Sequence, residues 1–94
     1  MIEPGTRVTR NERAVHRELA SGGGVLLHLD TAAYHGVNEI GALIWTLLDG
    51  GTVVDVAKRL EKELRDSPPS LVDDVEEFVE ALAKRDLVRL EPAP

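Results

Sequence analysis

Three histidines are the residues best suited to chemistry in this 94-residue chain: His16, His28 and His35. His28 and His35 lie in two neighbouring extended runs. With Asp30 they would offer two imidazoles and a carboxylate, a donor set that suits zinc or iron. The spacing matches no metal motif, and no metal site is expected. Ser21, Ser67 and Ser70 stand at turns or helix starts, where serine serves the backbone, and there is no G-x-S-x-G elbow. Gly22-Gly23-Gly24 leads into a strand and lacks a P-loop lysine, so it is a turn and not a phosphate cradle. The acids Asp73-Asp74 and Glu76-Glu77 have no apolar pocket beside them in sequence to lift a carboxyl pKa into a useful range. Neither catalysis nor a cofactor is expected.

The elements that would position these residues follow from periodicity. Residues 1–13 are polar, with Pro4 and Gly5 near the start, and most of them read as a loose tail. Ala14–Leu19 fits a helix, with Asn11 as cap, as well as an alternating strand. The glycine turn after it and the weakness of a lone two-stranded hairpin favour the strand. Val25–Asp30 and Ala33–Val37 flank the short connection Thr31-Ala32 and read as a hairpin. Asn38 then caps a helix with the stripe Ile40, Leu43, Ile44, Leu47 and Leu48, stopped by Gly50-Gly51. Trp45 falls at the edge of that stripe, a core-edge position. Thr52 and Asp55 form a capping-box pattern ahead of Val53, Val56, Ala57, Leu60 and Leu64. Pro68-Pro69 separates this from a third helix, capped by Ser70, with the stripe Leu71, Val75, Phe78 and Leu82. Leu87–Leu90 reads as a short extended tail. The expected fold is α+β: a three-stranded antiparallel sheet followed by three helices, with the domain over 14–90 and tails at 1–13 and 91–94.

Composition narrows the partners. Eleven Lys and Arg against 17 Asp and Glu give a formal charge of −6. Nucleic-acid affinity rests on cations that neutralise phosphates, so neither nucleic acid nor an anionic membrane is expected as partner. There is no cysteine, which excludes disulfides and thiolate chemistry and suits a reducing cytoplasm. No apolar run approaches the ~18 residues of a membrane span.

What remains is the chemistry of the backbone. The last strand of a three-stranded meander is an edge, with unpaired N–H and C=O groups that invite another strand. Ala33-Tyr34-His35-Gly36 carries neither Lys nor Pro to blunt that edge. On the third helix, Val72, Val79 and Ala83 widen the apolar stripe to one side, with Glu76 beyond, whereas Asp74, Ala81 and Arg85 make the opposite flank mostly polar. The extra apolar flank either packs into the core or lines a groove beside the strand edge, and such a groove would take an extended peptide as an added strand. Its expected residues are Ala33, Tyr34, His35, Gly36, Val72, Val75, Glu76, Val79 and Ala83.

Leu27-His28-Leu29-Asp30, Tyr34, Val37-Asn38, Gly41-Ala42, Ile44-Trp45, Leu47-Leu48-Asp49-Gly50 and Thr52 follow one another in a pattern that resembles the PqqD-like family. Asp74-Val75, Phe78, Leu82 and Leu87-Val88 match the family's ending. Val37 stands where the family usually has Leu, and Asp86 where it usually has Gly. The resemblance implies a winged helix-turn-helix-like fold with a strand at Ala14–Leu19. It also implies a RiPP recognition element, a domain that binds the leader of a ribosomally made precursor peptide beside the third strand and against the third helix. The chain looks most like the stand-alone recognition subunit of lasso-peptide biosynthesis. Such a subunit would be a non-catalytic protein that presents the precursor to a leader peptidase and an ATP-dependent macrolactam synthetase. A peptide chaperone of pyrroloquinoline quinone biosynthesis and a winged-helix DNA-binding regulator are the alternatives.

Overall fold

In the computed structural model, which describes residues 2–93, the chain is an α+β fold of two small antiparallel sheets and three helices. In chain order these are β1 (Arg7–Arg10), β2 (Ala14–Glu18), β3 (Gly24–His28), β4 (Tyr34–Val37), α1 (Glu39–Leu47), β5 (Asp49–Thr52), α2 (Val53–Glu63), α3 (Leu71–Lys84) and β6 (Val88–Glu91). The expected meander is present as the sheet β2-β3-β4. Its inner face follows the two-residue period of a strand: Gly24, Leu26 and His28 are buried, whereas Val15 and Tyr34 face outward and are exposed.

A second sheet, ordered β5-β1-β6, departs from the expected single sheet. The segment expected as a loose N-terminal tail supplies its central strand. Val8 is fully buried and Ile2 nearly so. β1 pairs with β6 from Arg7↔Glu91 to Arg10↔Val88, so Val88–Leu90 of the expected extended tail is part of a paired strand. β1 pairs on its other side with β5, at Arg7↔Thr52 and Thr9↔Asp49. Gly50-Gly51 therefore belongs to a strand. α1 stops earlier than the glycines suggest, with Leu48 as C-cap. Gly50 carries the positive φ of 97° that the strand needs to begin there, a conformation open to glycine at no steric cost.

Local capping follows the sequence in two helices and not in the third. Asn38 Oδ1 accepts from Gly41 N–H at 2.8 Å, closing the first turn of α1. Thr52 and Asp55 make the full capping box: Asp55 N–H donates to Thr52 Oγ1 at 3.2 Å, and Thr52 N–H to Asp55 Oδ2 at 3.0 Å. Ser70 precedes α3, but its hydroxyl caps no backbone group and donates to Asp74 Oδ2 at 3.0 Å. Asn11 caps no helix either. It is buried between the sheets, where its side-chain amide donates to the Asp86 carbonyl at 2.7 Å.

The core lies between the helices and the inner faces of both sheets. Leu26, Leu48, Leu60, Leu82, Leu87, Val8, Val56, Val75 and Val79 are its fully buried side chains. Trp45 is buried, deeper than the core edge expected for it, with the Arg10 guanidinium 5.9 Å from its ring centroid.

Candidate functional site

β4 is an edge of its sheet, and the register shows which of its backbone groups are free. His28 N–H donates to the Ala33 carbonyl at 3.0 Å, and the ladder continues through Leu26↔His35 and Gly24↔Val37. Alternation in an antiparallel pair turns the backbone groups of His35 and Val37, with the Ala33 carbonyl, toward β3. Those of Tyr34 and Gly36 point out from the open edge. Four residues were expected to offer hydrogen bonds to an added strand; the register leaves two. Gly36 keeps the approach clear, since a Cβ built there would meet no atom within 4 Å. Tyr34 stands 70% exposed beside it.

The wall facing this edge is α3, presented on a different flank from the one expected. The Phe78 ring packs against Gly41 of α1, which Val37 of β4 also adjoins: a Cβ on Gly41 would lie 3.0 Å from Phe78 Cε1 and 3.1 Å from Val37 Cβ. Arg85, seven residues on and so on the same face at 100° per residue, exerts its charge on His35 of β4. Asp74 and Ala81 share that side. Burial first, and then the Arg85 guanidinium, hold the His35 imidazole pKa below its ordinary value.

The five α3 residues expected to line the groove lie elsewhere. Val75 and Val79 are fully buried core. Val72 lines a hollow with Val54, Ala57, Lys58 and Glu61 of α2, on the far side of the helix. Ala83 packs against the core and Glu76 is half-buried, both on Val72's side of the helical wheel. The reason is the second sheet and α2. They give the broad apolar flank of α3 a partner, leaving the narrower Phe78–Arg85 flank to look toward β4. The signal available in sequence was the seven-residue interval from Phe78 to Arg85.

At the far end of β4, an open hollow of about 470 Å³ is lined by Leu19, Ser21, Gly23 and Val37–Ile40. His28 is 3% exposed and engages Asp86, while His35 faces Arg85. Among the described residues no three His, Cys, Asp or Glu side chains cluster to hold a metal ion, and no helix is long and apolar enough to cross a membrane.

An α+β domain with an open sheet edge beside a helix is the class these features define. Within it, the chain belongs to the PqqD family: the model described as coenzyme PQQ synthesis protein D (PqqD) matches residues 23–88. Two solved structures are similar in fold and sequence. One, TbiB1 in complex with the TbiA(beta) leader peptide, superposes with a TM-score of 0.72 at 28% identity, covering 86% of this chain and 94% of that one. The other, lasso peptide synthetase B1 complexed with the leader peptide, gives 0.69 at 25% identity, covering 87% and 96%. Among curated proteins none matches the chain.

Proposed function

We propose that this protein is a RiPP recognition element that binds the leader of a ribosomally made precursor peptide as a strand added to β4. The carrying observation is the open edge, with the backbone groups of Tyr34 and Gly36 facing out beside the Phe78–Arg85 flank of α3. Support comes from the two similar structures, both complexes with a leader peptide. Main-chain hydrogen bonds, each worth about 0.5–1.5 kcal/mol net, give the peptide its register. Apolar leader side chains between β4 and α3 add about 1.5–3 kcal/mol each. Less the cost of ordering a disordered leader, the affinity falls on the order of micromolar or tighter.

The domain itself performs no chemistry in this reading. It raises the local concentration of the precursor at a leader peptidase and an ATP-dependent macrolactam synthetase of the lasso-peptide type. The description of the family model favours a second client, the peptide of pyrroloquinoline quinone synthesis, for the same edge. A winged-helix regulator role fits poorly, because Asp73, Asp74, Glu76, Glu77 and Glu80 make α3 acidic.

Titration of fluorescently labelled leader peptides from lasso-peptide precursors, the TbiA(beta) leader among them, tests the reading. The wild-type chain is expected to bind one of them saturably. Gly36→Pro removes the outward N–H and leaves the ladder to β3 intact, because proline is tolerated where the N–H faces solvent. It should fold by circular dichroism and bind at least tenfold more weakly. Absence of binding to the whole panel, or equal binding by the folded variant, overturns the proposal.

A further inference from the structure

Asp86 is held in a backbone conformation that asks for glycine. Leu87 N–H donates to the Leu82 carbonyl at 3.0 Å and Asp86 N–H to the Ala83 carbonyl at 3.1 Å. That is the paired closure of a Schellman motif, with Asp86 at its left-handed position and φ of 59°. A side chain there costs conformational energy that glycine would not. The aspartate side chain has a use that offsets this: its Oδ2 lies 3.0 Å from Nε2 of His28, a buried side chain with 3% exposure.

His28 is the hub of the β3–β4 connection. Its backbone N–H donates to the Ala33 carbonyl at 3.0 Å and its carbonyl accepts from Ala32 N–H at 2.8 Å. Its Nδ1 accepts from Asp30 N–H at 3.2 Å. That bond assigns the tautomer: with Nδ1 accepting, Nε2 carries the hydrogen and donates to Asp86. His28 therefore holds the β3–β4 connection through its backbone and Nδ1, and the end of α3 through Nε2.

We infer that Asp86 and His28 form a clasp that positions β4 against α3, making both positioning residues for the groove between them. The inference rests on the leader-binding reading, but its first readout does not. The turn itself survives loss of the carboxylate, because Asn11 Nδ2 also holds the Asp86 carbonyl at 2.7 Å and the two Schellman bonds are backbone to backbone.

The test uses Asp86→Gly, His28→Leu, their double variant and Asp86→Asn. Asparagine tolerates the left-handed conformation and keeps an acceptor for Nε2. The chain has no cysteine, so spin labels at Tyr34→Cys and Glu77→Cys report the β4–α3 distance alone. Asp86→Gly is expected to keep or raise the melting temperature while broadening that distance distribution, and Asp86→Asn to restore it. For the best leader peptide of the panel, measured on unlabelled protein, Asp86→Gly and His28→Leu should each raise Kd at least fivefold. The double variant should add little more, because both remove the same bond, and Asp86→Asn should bind like wild type. An unchanged distance distribution in Asp86→Gly overturns the clasp, as does a loss of affinity that asparagine fails to rescue. Failure of wild type to bind any peptide would count against the leader-binding reading, and the distance measurement would still decide the clasp.

Discussion

Individual side chains on α3 separate core from groove. Val79 is fully buried, so Val79→Asp is expected to unfold the domain, and Val79→Ala to cost about 2–3 kcal/mol in urea denaturation. Val72, 42% exposed, borders α2, so Val72→Asp should leave leader affinity unchanged. Ala81→Tyr, on the Phe78 side, should weaken binding at least tenfold, about 1.4 kcal/mol, by crowding the wall. Fluorescence titration checks both. The edge position of β4 was legible in sequence, because the last strand of a meander is an edge. The α3 residues were not, because an apolar flank reads the same whether it faces a groove or a neighbouring element, and α2 and the second sheet decided which. Charge adds a pH dependence. The Thr52 backbone N–H, bonded to Asp55, holds that carboxyl below its ordinary pKa, and the Arg59 guanidinium does the same for Asp49. Folded values below unfolded ones mean that their stabilisation is complete above the ordinary carboxylate range and is lost as pH falls through the lowered values. Asp55→Asn should flatten that acid limb in denaturation midpoints measured against pH.

Among the elements, α1, α2, α3 and the β2-β3-β4 meander were legible, since each shows its own period and punctuation within a dozen residues. β1, β5 and β6 were not. Each has four residues, too few for a period, and their partners lie far away in sequence. Asp49-Gly50-Gly51 reads locally as a helix stop, and only pairing with β1 makes it a strand. Arg-Val-Thr-Arg offers a single apolar side chain, Val8, and that side chain is fully buried. Val8→Asp is therefore expected to remove the cooperative thermal transition of the whole domain, although it lies in a segment that composition marks as a tail. A retained transition at the wild-type temperature would show β1 to be dispensable.

The whole molecule is held together by the pairing of its most distant segments. The hairpins of the first sheet and the three helices close over short stretches of chain, whereas β1 can pair only after both β5 and β6 are available. Contacts of such long sequence separation form late, because loop closure must precede them. Val8→Ala is accordingly expected to speed unfolding while leaving the folding rate nearly unchanged, a φ-value near zero in stopped-flow denaturant jumps. A large drop in the folding rate would place β1 in the nucleus instead. The order of assembly has a consequence during synthesis. The strand that ends at Arg10 waits for one that ends at Glu91, so a nascent chain carries the paired β2-β3-β4 sheet before its second sheet is complete. For that interval the apolar surface that Val8 covers in the finished fold stays wet.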